Sequence, residues 1–385
     1  MDYDLPDELK LLQQTIRRVV SEHMIPLEPI TPEDEDIPAD LRAKLEQMAK
    51  DQGLWLLFIP AEYGGAGLSI FGQVIVWEEV SKTVLIPFRK DSIFGPEGCS
   101  ILFLCNDQQK ERYLYPVIRG ERVPCFATSE PNAGSDPSAM TTTAVKDGSS
   151  YLLNGKKTWV TSGDKADFVQ VVAVTDPAKR QRGGITAFLV DMDTPGLTIT
   201  GKFELMMEDR PNEFTFENCR VPEANILGEI GQGFVISQTW ITMGRLRQGA
   251  KALGVAQRCL DMAIEYAKHR VTFGKPIATR QAVQFMIADS EVELHAARLM
   301  VYHAAQKLDK GEDARHEVYI AKLYANEMVG RVVDRALQIH GAMGLSKELP
   351  LERWYRDVRS RRITEGPSEI MRWVIARKLL GRVSD

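Results

Sequence analysis

The sequence predicts an α+β protein, mostly α, in three parts: an N-terminal helical domain, a middle antiparallel β-barrel-like domain and a C-terminal four-helix bundle. Three observations predict it. Apolar residues recur at helical spacing through residues 7–118, as at Leu9, Leu12, Ile16 and Val19, and at Leu41, Leu45, Met48 and Ala49. From Val123 to about Ile226 the texture changes to short runs rich in Val, Phe and Thr. After Gly228 the helical period returns and persists.

In the first part, Pro- and Gly-rich loops separate the helices, notably residues 60–67 (PAEYGGAG), a stretch built for turning. In the second, the runs at 151–153, 168–174, 186–190, 197–200 and 213–216 are separated by turns containing Gly, Pro and Asp, the pattern of strands in an antiparallel sheet or barrel. In the third, residues 233–269, 281–310, 313–344 and 367–380 read as three long helices and a shorter one, the pattern of a bundle. The expected domains are 1–119, 120–228 and 229–385.

The chain of 385 residues carries a net charge of −5, so no basic field calls for nucleic acid or an anionic membrane. The run Glu33, Asp34, Glu35, Asp36 between Pro32 and Pro38 reads as a solvated loop. No apolar stretch approaches the ~20 residues of a spanning helix, so no membrane insertion is expected. The acidic start MDYDLPDELK carries neither a signal-peptide core nor an Arg-rich transit segment. A cytoplasmic, bacterial chain is expected, and a mature mitochondrial-matrix chain would read the same. Cys99, Cys105, Cys125, Cys219 and Cys259 are odd in number and form no CxxC, against a disulfide framework or a zinc site. His295, His303, His316 and His340 sit in helical patterns without partner acids at ligand spacing, so no metal is expected.

Four segments carry chemistry. The run FATSEPNAGSD, from Phe126 to Asp136, ends a strand in Pro, Gly and small polar residues. Such a surface offers N–H groups and hydroxyls to a flat heteroaromatic edge or a phosphate. Taken alone it is also an ordinary Ser/Asp-rich turn, and Trp159 in the following WVTSG is also an ordinary core Trp. Arg270 to Ile277 (RVTFGKPI) breaks the helical pattern at Gly274 and Pro276, with Arg270 placed where a cation favours a helix C-terminus. An arginine cluster at Arg356, Arg359, Arg361 and Arg362, read as a solvated or intersubunit face, precedes Ile363, Thr364, Glu365, Gly366 and Pro367. Glu365 sits in a break between helices, and Pro367 fits the first turn of the next one.

Together these segments resemble the acyl-CoA dehydrogenase family along nearly the whole chain. The resemblance implies FAD as cofactor, contacted by Phe126, Thr128, Ser129, Gly134, Trp159 and Thr161, with Ser135 between pyrophosphate and thioester. Ser129 keeps the hydroxyl where the family usually has Thr, and Thr128 stands where an apolar residue is common. The family's RxxFGxxI motif is matched by Arg270, Thr272 and Phe273, which it directs to the FAD of a neighbouring subunit, and Gln281 matches the Gln that follows. An Arg fork suits paired phosphate oxygens. Gln338, Gly341 and Ala342 match a small-residue helix end that FAD approaches, and Ser368 and Glu369 match its last contacts.

The IxEG match makes Glu365 the catalytic base, with Pro367 in place of the usual Thr. Some relatives carry the base just before the residue matched by Arg245; this chain has Gly244 there, so Glu365 has no rival. Arg245 and Gly366 fall on the substrate side. A water-poor site strengthens a carboxylate base, and hydrogen bonds to the thioester carbonyl stabilise the developing enolate. The implied reaction takes the α-proton to Glu365 and the β-hydride to flavin N5, yielding a trans-2-enoyl-CoA, with electrons leaving to an electron-transferring flavoprotein. A homotetramer is implied. Counting back from Asn106, Asp107, Gln108 and Gln109 places Arg89, Lys90 and Asp91 near the acyl-pocket floor. They read as an exposed loop or as a pocket for a polar-ended acyl group. An acyl-CoA oxidase, another flavin reaction on the same fold and a non-catalytic FAD/CoA-binding relative are the competing readings.

Overall fold

The computed structural model describes residues 5–34, 36–87, 89–97 and 99–381. The charge run and the Arg89 stretch are therefore described without Glu35 and Phe88. By contacts the chain falls into two compact units. One comprises 1–48, 67–90 and 242–385, and the other 49–66 and 91–241.

The helices are α1 (Asp7–Val19), α2 (Ala39–Asp51), α3 (Ile70–Val80), α4 (Asp107–Gln109), α5 (Tyr115–Ile118), α6 (Gly233–His269), α7 (Gln281–Asp309), α8 (Arg315–His340), α9 (Leu351–Arg361) and α10 (Ser368–Leu380). Three of the four predicted C-terminal helices agree with α6, α7 and α10 to within a residue. The predicted 313–344 is α8 followed by a 3-10 turn, Gly341–Leu345. The addition is α9, whose amphipathic stripe buries Leu351, Trp354 and Val358. Two of the arginines assigned to a solvated face behave otherwise. Arg361 is buried and pairs with Asp357 at 2.7 Å, and Arg356 is bound by Glu352 and by Glu33 at 2.6 Å. An i,i+4 acid on the same helix face lets the guanidinium turn inward.

In the first unit, α3 is apolar all round and buries two consecutive acids, Glu78 and Glu79. Buried charges need partners. Arg298 and Tyr302 of α7 bind Glu78 at 3.0 and 2.8 Å, and Arg17 of α1 binds Glu79 at 2.9 Å. Gly254 lets α6 approach the same helix, since a Cβ there would lie 1.9 Å from the Glu78 carbonyl oxygen.

The second unit is built on a sheet of β1 (Pro124–Ala127), β2 (Thr143–Asp147), β3 (Ser150–Val160), β4 (Phe168–Val174), β5 (Ile185–Asp191), β6 (Leu197–Lys202), β7 (Asn212–Pro222) and β8 (Ile226–Leu227). The order is β6-β7-β3-β2-β4-β5-β8, with β1 beside β4. Pairing is antiparallel except at β1–β4 and β2–β4, which are parallel. β4 is buried on both faces. Phe168, Val172 and Val174 pack with Tyr113, Leu114 and Ile185, while Val169, Val171 and Ala173 pack with Leu153, Phe188 and Phe214. A short hairpin, β9 (Val271–Thr272) with β10 (Lys275–Pro276), follows α6. Among the described residues no helix is long and apolar enough to cross a membrane.

Candidate active site

Between α9 and α10 the chain makes a tight turn. The Ile363 and Thr364 N–H groups both donate to Ser360 O, and Ser368 N–H donates to Arg362 O at 3.0 Å. Two successive residues, Glu365 (φ 56°) and Gly366 (φ 96°), are left-handed. Gly366 adopts this freely, whereas Glu365 is strained and persists only because its surroundings over-determine it. Those surroundings come from two helices. From α6, Arg245 Nε donates to Glu365 O at 2.8 Å and Gln248 Nε2 to Thr364 Oγ1 at 2.9 Å. From α8, Lys322 Nζ donates to Gly366 O at 2.6 Å.

The Glu365 carboxyl lies against bare backbone of α6. A Cβ on Gly244 would stand 2.6 Å from Glu365 Cδ and Oε2 and 2.7 Å from Oε1. Gly244 therefore leaves room for the Glu365 carboxyl. Oε2 is buried with no hydrogen-bond partner among the described residues. A buried orphan oxygen costs free energy, a cost that a reacting or bound group on that atom would offset. Arg245 is buried, with its guanidinium 5.0 Å above the Tyr319 ring. Burial lowers its pKa, opposed by Tyr319 and Glu365. Burial likewise pushes the Lys322 ammonium down to about 8, against the pull of Glu365.

In the second unit the FATSEP strand end is β1 and the loop leaving it. Lys157 of β3, fully buried, reaches beneath this loop, donating to Thr128 O at 3.1 Å and to Glu130 Oε1 at 2.8 Å. Glu130 also accepts from Thr141 N and Oγ1 and from Thr142 N. Burial raises its pKa, but Lys157 and these donors outweigh that and hold it at about 2. Thr158 N–H ties Ser129 O at 2.9 Å. A register shift between Lys157 and Val160, with Trp159 at φ 60°, turns that Trp outward. It is half-exposed and stacks on Phe203 at 4.4 Å. Thr161 Oγ1 lies 3.4 Å from Asp209 Oδ2. Phe126 packs on Trp240 at 5.2 Å, while Gly134 and Ser135 are exposed. These residues fit a flavin ring. Thr128 Oγ1 is buried without a partner, and Trp159 presents an aromatic surface held by backbone strain.

Most of the remaining predicted residues stand on the surface of the first unit. Arg270 leads into the β9–β10 hairpin, whose turn is Phe273 (φ 49°) and Gly274 (φ 74°). Phe273 is 96% exposed, a large apolar side chain in a strained conformation facing water. Gln281 opens α7 and is exposed, as are Gln338, Ala342 and Glu369. Gly341 (φ 59°) stops α8, and Gly344 packs on Leu337, where a Cβ would meet the carbonyl oxygen at 2.6 Å. Ser368 is buried. Arg89 is half-buried and Lys90 buried, so neither is a freely solvated loop residue.

Sequence reasoning missed Gln248, Lys322, Lys157 and Glu130. The available signal was a charged or amide side chain inside a run of buried positions, as Lys322 lies among Val318, Ala321, Ala325 and Val329.

A carboxylate with one oxygen out of water and unbonded is suited to taking a proton from carbon, and the β1 loop with Trp159 is suited to a flat redox ring; the class these features define is a flavin-dependent oxidoreductase. The chain belongs to the acyl-CoA dehydrogenase family, matching its N-terminal domain over residues 6–121, its middle domain over 125–219 and its C-terminal domain over 231–380. FAD is the family's cofactor. Among curated relatives, the mitochondrial short-chain specific acyl-CoA dehydrogenase of Rattus norvegicus is 39% identical, over 98% of this chain and 91% of that one. A 3-(aryl)acrylate reductase of Clostridium sporogenes is also 39% identical, over 97% and 99%. Among solved structures, butyryl-CoA dehydrogenase from Megasphaera elsdenii superposes with TM-score 0.87 at 32% identity, over 99% of this chain and 100% of that one. A chain from a study of the electron-transferring flavoprotein of Acidaminococcus fermentans gives TM-score 0.88 at 32% identity, over 99% and 100%.

Proposed function

We propose that the chain catalyses FAD-dependent α,β-dehydrogenation of a short acyl-CoA to a trans-2-enoyl-CoA, with Glu365 removing the α-proton and an electron-transferring flavoprotein taking the electrons. The observation that carries this reading is the Glu365 carboxyl over Gly244, with Oε2 buried and unbonded. Bound FAD, held by Thr128, Ser129, Trp159 and Thr161, supplies the acceptor for the β-hydride. The chain does the rest. Arg245 holds the Glu365 carbonyl, and the Glu365 N–H has no acceptor among the described residues. That N–H is free to donate to the thioester carbonyl, stabilising the enolate as the proton passes to Oε2.

The exposed Phe273 beside Arg270 supports a homotetramer in which the hairpin of one subunit reaches the FAD of another. The relatives support a short acyl group. The buried Lys90 supports a polar end on it: Lys251, seven residues and ~10 Å along α6 from Gly244, donates to Lys90 O at 3.5 Å.

The test is anaerobic titration of the FAD-loaded protein with butanoyl-, octanoyl- and palmitoyl-CoA and a polar-ended analogue. Butanoyl-CoA should bleach the flavin, and Glu365→Gln should slow bleaching by at least ~10²-fold with FAD retained. Bleaching at the wild-type rate in Glu365→Gln refutes the base assignment, and palmitoyl-CoA as the best substrate refutes the short-chain reading. The reductase relative favours a second reading, reduction of an unsaturated thioester. Faster reoxidation of reduced enzyme by enoyl-CoA than bleaching by acyl-CoA is the result that supports it.

A further inference from the structure

The geometry points to Lys322 as a positioning residue for the base: its ammonium, through the Gly366 carbonyl, holds the left-handed Glu365–Gly366 pair in the conformation that sets the carboxyl over Gly244. This rests on Glu365 being the base.

The pair cannot hold itself. A non-glycine residue at φ 56° is strained backbone and relaxes unless contacts on both sides oppose it. Each consecutive carbonyl has its own cationic donor from a different helix: Arg245 of α6 on Glu365 O at 2.8 Å, and Lys322 of α8 on Gly366 O at 2.6 Å. Arg245 fixes the plane of the 365–366 peptide and Lys322 that of the 366–367 peptide, so together they restrict φ and ψ of Gly366 and, through the first plane, ψ of Glu365. Arg245 alone would leave the 366–367 plane free to turn about the Gly366 Cα.

Lys322 is an expensive residue for a packing role. It is 1% exposed on α8 with Gly366 O as its one hydrogen-bond acceptor among the described residues, and Met would fill the same space without a charge to desolvate. Its neighbour one turn on, Asn326, reaches Gln248 at 3.4 Å, and Gln248 binds Thr364. The same face of α8 therefore supports the segment on both sides of Glu365.

The experiment uses the FAD-loaded enzyme with Lys322→Met, Lys322→Arg and Lys322→Gln, and Glu365→Gln as control. Four quantities are read: kcat, KM, FAD per chain, and anaerobic exchange of the acyl-CoA α-proton with solvent deuterium. Displacing a reacting group by ~1 Å costs about 10²-fold. Lys322→Met should therefore lower kcat and α-proton exchange together by about that factor, with FAD per chain unchanged and KM shifted far less. Lys322→Arg, which restores a charged hydrogen-bond donor, should recover about tenfold or more of the loss. Lys322→Met at wild-type kcat and exchange, with Glu365→Gln inactive, overturns the proposal. Loss of FAD in proportion to kcat, with no recovery in Lys322→Arg, overturns it too, as a purely structural role. Should Lys322→Met not fold, Lys322→Gln is judged by the same kcat and exchange criteria. Wild-type turnover in Glu365→Gln would instead sink the base assignment, whatever the lysine variants do.

Discussion

Gly244→Ala separates stability from catalysis at a single carbon atom. The new Cβ would stand 2.6 Å from Glu365 Cδ, 0.8 Å inside the 3.4 Å at which ordinary contact begins. Position 244 lies within the 37-residue α6, where Gly→Ala alone favours the helix by about 0.8–1.0 kcal/mol. The clashing atoms are the far end of a flexible side chain, so the carboxyl can rotate away at low cost. Folding stability should then stay within ~1 kcal/mol of wild type, a shift of a few degrees in Tm at most. The carboxyl, however, is displaced by ~1 Å, and a displacement of that size costs about 10²-fold in rate. The assay is kcat with butanoyl-CoA beside a thermal melt and FAD content, and α-proton exchange to show that the lost step is proton removal. Wild-type kcat with an unchanged melt would refute the argument, because the base would then not depend on the space over Gly244. A large fall in Tm would refute it differently, by showing that the carboxyl cannot move aside.

Further outcomes follow from the second unit and the hairpin. Glu130→Gln breaks a buried ion pair and should cost about 3–5 kcal/mol, seen as a lower Tm and weaker FAD retention, since Lys157 also holds Thr128 O. The Glu130 pKa is depressed to about 2, so the pair's contribution is complete above the ordinary 4.5 and lost as pH falls from 4.5 toward 2. Wild-type Tm should fall more steeply across that window than the variant's, and equal slopes would remove this pair from the acid response. Phe273→Asp should dissociate the proposed homotetramer in light scattering, and Arg270→Ala should lower FAD per chain more than Tm. A Phe273→Asp protein of unchanged mass would count against the hairpin as a subunit contact.

Much of the architecture was determined by local pattern. α6 and α7 declare themselves because their period runs for 37 and 29 residues, and β4 because seven consecutive positions are buried. β2 and β8 were missed, being five and two residues long and defined by pairing partners rather than by their own alternation. α9 was read as a charged surface, because an arginine pattern does not say whether its charges meet acids inside or water outside.

The site divides along the same line. Glu365 was legible as a motif, with Gly244 legible as the absence of a rival base. Why Gly244 must be glycine was not, because the carboxyl and the Cα that meet there are 121 positions apart. Arg245 and Lys322 reach the turn across 120 and 44 residues, and Lys157 reaches the β1 loop across 29. A lysine in a run of buried alanines and valines reads locally as a misplaced charge. Only the folded chain brings it a carbonyl to hold, because a hydrogen bond depends on distance and direction in space, and sequence separation specifies neither.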